Sequence, residues 1–303
     1  MKINEQAFSF ACAGEPLVGI ASIPDEARST GVIIIVGGPQ YRVGSHRQFI
    51  LLARNLASAG YPVMRFDYRG MGDSCGDSRS FESVDDDIAA AIDGFVARYP
   101  NVTRVVLWGL CDAASASLLY WDARRDERVA GLCLLNPWVR SEVSLAKTHM
   151  KHYYGQRLLQ RDFWKKLFTG KAEVASSVSG LISNWRLTRQ AAGVKGRTTE
   201  NEAFQNRMAR ALMDFNGHVM LVLSGNDYTA KEFLQYATDD PLWSGVFNNP
   251  SLARMTLPDS DHTFSSAIWR ADVAKVTLDW LTEVDTTQNQ MLATAAKSGG
   301  ALR

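Results

Sequence analysis

Three segments of this 303-residue chain carry residue types that can act together on a carbonyl group. The first is Trp108-Gly109-Leu110-Cys111-Asp112-Ala113-Ala114, where a cysteine stands between small residues two positions away on either side. A strand that turns abruptly into a helix needs small neighbours there, because the two backbones pass close together. Such a turn also sets the sulfur at a helix N-terminus, whose dipole and free N–H groups favour a thiolate. The amide of Asp112 would then face an oxyanion developing on a bound carbonyl. Taken alone, G-x-C-x-A is a weak pattern, and a small buried cysteine is the plainer explanation.

Chain order strengthens it. Asp227 ends the run HVMLVLSGND, and His262 closely follows RMTLP. Nucleophile, then acid after a later strand, then histidine near the C-terminus is the order of a hydrolase triad. Of the five histidines, His262 alone directly follows an expected core strand; His46 begins a helix, His149 and His152 share a helical stretch, and His218 opens a strand. Asp227 is the expected partner of His262, with the flanking Asp259 and Asp261 as alternatives. The segment GVIIIVGGPQYR brings a third element. Pro39 has no N–H, so a second oxyanion donor is expected at Gln40, with Tyr41 the next choice. Tyr41 and Trp138 are the expected substrate contacts.

These residues need a scaffold that delivers strand ends to one edge. Residues 5–23 alternate around Gly14-Glu15-Pro16 as an antiparallel hairpin. A continuous apolar run at 31–38 suits a strand buried on both faces, and 61–70, 104–109, 129–137, 218–227 and 254–258 read as further strands. Helical spacing at 46–59, 84–99, 114–125, 231–238 and 265–284 alternates with them. The pattern is α/β, a mostly parallel, doubly wound sheet whose ligands sit beyond the strands' carboxyl ends. Residues 1–137 and 217–284 form the core, 138–216 an aromatic-rich helical insert, and 285–303 a flexible tail. FDYRGMGDS (66–74) is expected to bolt loops together through Asp67 and Arg69.

Composition sets the outer bounds. The formal net charge is +1, from 33 basic and 32 acidic residues, which excludes a strongly basic nucleic-acid binder. That neutrality is a cancellation: residues 138–216 hold 14 basic and 6 acidic residues, the remainder 19 and 26. Such an insert is suited to an anionic substrate or carrier, or is simply a solvated face. Cys12, Cys75, Cys111 and Cys133 are scattered without a paired motif, as reduced thiols in a cytoplasmic protein would be. No apolar stretch approaches the ~20 residues of a membrane-spanning helix. His149 and His152 lack a third ligand, so neither a metal nor another cofactor is expected.

GLCDA, GGPQ, FDYRGMGDS, SGND and DSDH together resemble the α/β-hydrolase superfamily over about residues 5–284. The set GGPQYRVGSHRQF, FDYRGMGDS and WGLCDAAS is similar, more narrowly, to the exosortase A system-associated hydrolases of the first type, bacterial proteins encoded beside exopolysaccharide and protein-sorting genes. The resemblance implies acyl chemistry, a lid at 138–216, and a cysteine where the superfamily usually has serine. The expected activity is hydrolysis of an ester or thioester, on a small or carrier-linked substrate, through Cys111, His262 and Asp227. Acyl transfer to a hydroxyl, amine or thiol is the alternative, and an inactive fold used as a binding module is a third.

Overall fold

The computed structural model of the chain describes residues 2–38, 40–140 and 202–299, with side chains through 287. Eight strands form one sheet: β1 (Ile3–Cys12), β2 (Glu15–Pro24), β3 (Thr30–Ile35), β4 (Val63–Asp67), β5 (Arg104–Leu110), β6 (Val129–Leu135), β7 (His218–Ser224) and β8 (Leu252–Leu257). Their spatial order is β1-β2-β4-β3-β5-β6-β7-β8. The opening hairpin adds antiparallel strands to one edge, and from β4 to β8 every pairing is parallel.

The helices α1 (Gln48–Ser58), α2 (Asp85–Arg98), α3 (Asp112–Arg124), α4 (Phe204–Asp214), α5 (Tyr228–Asp239) and α6 (Ala267–Gly299) cover both faces. α1 and α6 pack on one face over Val32, Ile34, Trp108 and Cys133. α2, α3, α4 and α5 pack on the other over Ile33, Leu107, Leu132 and Leu221. Every residue of β3, β4 and β6 is buried, including the charged Arg65 and Asp67 of β4. Each such Val, Ile or Leu contributes roughly 1.5–3 kcal/mol by leaving water.

Three boundaries differ from the expectation. α3 starts at Asp112 and not Ala114, because the β5 turn feeds the helix directly. Residues 204–214, expected within the insert, form α4 of the core, where Arg207 and Arg210 pair with the buried carboxylate of Asp122. α6 continues to Gly299, well past the expected end at 284. The chain divides into two compact units, residues 1–139 with 203–303 and residues 140–202. Residues 141–201, which hold most of the expected lid together with His149 and His152, lie outside the described residues.

Candidate active site

β5 delivers Cys111 on a turn whose backbone only a tight environment sustains. Cys111 has φ 64 and ψ −125, a strained region for a non-glycine residue, at a cost of about 1–3 kcal/mol. The surrounding structure fixes it. Its N–H donates to the Leu135 carbonyl at 2.8 Å, and its own carbonyl accepts from Ala114 at 3.1 Å and Trp138 at 3.3 Å. The small neighbours have the expected steric reason. A Cβ on Gly109 would lie 2.5 Å from the carbonyl carbon of Ala113, so strand and helix could not pass. Gly37, on the neighbouring loop, is similarly confined: a Cβ there would lie 2.9 Å from both Ala113 N and Leu110 O.

The structure brings the expected acid and histidine to this sulfur. His262 Nδ1 lies 2.8 Å from Asp227 Oδ2, and the Cys111 side chain is near enough to influence the imidazole. Asp227 first, and Cys111 after it, push the His262 pKa up to about 10 against the opposing effect of burial. Asp227 caps α5, accepting the amides of Thr229 at 3.1 Å and Ala230 at 3.2 Å. Burial works to raise its pKa, but the His262 bond and charge and these amides hold it below the ordinary carboxylate value. Asp261 is occupied elsewhere: its carboxylate caps the following turn, accepting from the amides of Thr263 and Ser265 and from the Ser265 hydroxyl. Asp259 offers its backbone carbonyl to Asn226.

The second donor expected at Gln40 is corrected. The Gln40 amide donates to the Gly38 carbonyl at 2.8 Å, closing a tight turn, and is not available to a ligand. The loop amide that faces the Cys111 turn is Gly38, which reaches Asp112 Oδ2 at 2.8 Å. Tyr41 is half-exposed, its hydroxyl bound to Asp73 and its ring beneath the Arg42 guanidinium. Trp138 follows β6 and is clipped to the turn through its backbone, its carbonyl accepting from Ser115 Oγ at 2.7 Å. Asp67 and Arg69 are loop bolts. Buried Asp67 takes both the amide and the guanidinium of Arg42, and Arg69 makes a two-pronged pair with buried Asp87.

Two positioning residues escaped the reading of the sequence, Asn136 and Ser224. They link the ends of β6 and β7 and hold backbone carbonyls on either side of the Asp261–His262 peptide. Their signal was slight: Asn136 precedes a proline, and Ser224 only ends an apolar run. Among the described residues, no group of three or more His, Cys, Asp or Glu side chains is arranged to hold a metal ion. No helix among them is long and apolar enough to cross a membrane.

A strained turn after the fifth strand, an acid after the seventh and a histidine after the eighth define a hydrolase of the α/β-hydrolase fold. The chain belongs to the serine aminopeptidase S33 family, whose model matches residues 27–219. Among solved structures it is similar to an esterase of Pyrococcus furiosus, at 13% identity and TM-score 0.62 over 93% of this chain and 91% of that one. Est1E from Butyrivibrio proteoclasticus, with ferulic acid bound, gives 13% identity and TM-score 0.60 over 92% and 99%. The acylaminoacyl peptidase of Pyrococcus horikoshii gives 14% and 0.58 over 93% of this chain and 42% of the longer enzyme. No curated protein sequence matches. The family is named for serine, and this chain carries Cys111 at the turn.

Proposed function

We propose that the protein hydrolyses a carboxylic ester or thioester with Cys111 as nucleophile. The observation that carries this reading is the Asp227–His262 hydrogen bond, which sets the imidazole beside Cys111 on its strained turn at a helix N-terminus. An imidazole held as a cation is a poor general base for a hydroxyl and a good counter-ion for a thiolate. Sγ attacks the carbonyl carbon, the C–O or C–S bond of the substrate breaks, and the imidazolium proton passes to the departing alkoxide or thiolate. Water then attacks the thioester, and neutral His262 takes its proton. The acid leaves as Sγ departs, which restores thiolate and imidazolium. The amides of Asp112 and Gly38 would stabilise both oxyanions.

A thioester intermediate retains acyl-transfer potential, so a hydroxyl, amine or thiol acceptor can replace water. Lysine and arginine outnumber Asp and Glu by 12 to 5 in residues 138–202, which favours an anionic or carrier-linked acyl donor. The similarity to exosortase-associated hydrolases favours a cytoplasmic role beside exopolysaccharide assembly. The test is a burst assay with p-nitrophenyl esters and acyl thioesters, with intact mass measured on the same samples. An acyl adduct that disappears in Cys111→Ala supports the reading, and an unchanged rate in that variant refutes it. Salt-independent turnover of an anionic donor would remove the electrostatic part.

A further inference from the structure

The residue after the nucleophile brings more than an amide. The half-buried side chain of Asp112 reaches from the first turn of α3 to the loop after β3. Oδ2 accepts the Gly38 N–H at 2.8 Å. Its other oxygen lies so close to Gly37 that a Cβ there would stand 2.1 Å from Oδ1. The loop amide available to a substrate oxyanion, that of Gly38, therefore already donates to a side-chain carboxyl. A negative charge in this position is what a tetrahedral intermediate would otherwise supply.

We propose that the Asp112 carboxylate occupies the oxyanion position of the resting site, and that a substrate carbonyl binds by displacing it. The inference rests on the acyl reading above. It makes Asp112 a selecting residue: weakly polarised carbonyls compete poorly, and only a substrate with enough binding energy elsewhere moves the carboxylate aside. Burial raises the Asp112 pKa, opposed first by the Gly38 amide and then by the His262 charge. Tyr68, buried nearby, feels the same charge, which pushes its phenol pKa upward after the larger effect of its own burial.

The test compares two reactions of the same sulfur. Acylation by p-nitrophenyl acetate passes through an oxyanion, whereas alkylation by iodoacetamide does not. Removing a nearby negative charge alters both rates through the thiolate, but only the first through the hole. Asp112→Ala should raise the ratio of Cys111 acylation to alkylation about tenfold or more, with a smaller rise in the isosteric Asp112→Asn, whose amide oxygen still accepts from Gly38. Both rates are read by mass at Cys111, and Asn carries the test if Ala does not fold. A ratio that is unchanged or lower in a folded variant overturns the proposal and leaves the acyl reading standing. Alkylation without acylation in wild type and both variants overturns the acyl reading, and this proposal with it.

Discussion

Asn136 and Ser224 exchange two hydrogen bonds across adjacent strand ends, Asn136 Nδ2 to Ser224 Oγ at 2.9 Å and Ser224 N to Asn136 Oδ1 at 2.8 Å. From that pair, Ser224 Oγ donates to the Asp261 carbonyl at 3.0 Å and Asn136 Nδ2 to the His262 carbonyl at 3.3 Å. Asn136 adopts φ 45, a conformation asparagine tolerates better than most residues. The loop bearing the imidazole is thus held by its backbone from two neighbouring strands. Asn136→Ala leaves the buried Ser224 N–H without its acceptor, a loss of about 1–3 kcal/mol. Urea denaturation should show that loss, and kcat should fall with KM nearly unchanged.

Asp227 is the largest cause of the raised His262 pKa, and its removal has a direction. The alkaline limb of kcat/KM in the wild type should lie near pH 10, where the imidazolium is lost. In Asp227→Asn that limb moves toward the ordinary histidine value of about 6.5. A limb that stays in place would separate Asp227 from the histidine's titration.

Serine at position 111 restores the family's usual nucleophile without the neutral base it needs. With His262 held as a cation, Cys111→Ser should lose about 10²–10⁴-fold in acylation rate. Burst kinetics on matched ester substrates measure it, and a serine variant as fast as wild type would contradict the ion-pair mechanism.

The same pair ties stability to pH with a defined sign. A histidine whose folded pKa is raised to about 10 contributes stability that is complete below its unfolded value, about 6.5, and fades as pH climbs toward 10. Asp227, held below its ordinary value, contributes above that value and loses its contribution as pH falls through the lowered one. The Tm gap between wild type and His262→Ala should therefore be greatest at about pH 5–6 and shrink steadily toward pH 10. A gap that widens with pH would reverse the assignment.

Gly109→Ala tests the turn by sterics alone. The added methyl would lie 2.5 Å from backbone atoms of Ala113, where no flexible side chain can yield. A loss of about 1–3 kcal/mol is expected in denaturant unfolding, together with slower Cys111 acylation as the turn is forced open.

Much of this architecture is legible in the chain because burial on both faces leaves an unmistakable mark. Val32 to Ile35 and Val105 to Leu107 read as continuous apolar runs, and both are fully buried in central strands. Cys111, Asp227 and His262 were legible because a strand end is where this topology exposes side chains. Hydrogen-bond wiring was not. Nothing local distinguishes Asp227 from Asp261 as the histidine's partner; the α5 cap and the turn at Ser265 decide it. The Gln40 expectation failed because proline's missing donor says nothing about how the next amide is used. The insert's far boundary was missed because α4 is amphipathic wherever it packs; its apolar face in the core cluster and its ion pairs with Asp122 assign it to the core.

The spacing of the site along the chain has a consequence for its birth on the ribosome. Cys111 leaves with β5, but His262 arrives only after β8, 151 residues later. At about 5–20 residues per second, the thiol waits roughly 8–30 s in a nascent chain that lacks its imidazole. Throughout that interval the sulfur has neither ion-pair partner nor acid behind it. On the proposed mechanism, the sulfur gains its catalytic partners only when the last strand joins the sheet, which makes completion of folding the activating event.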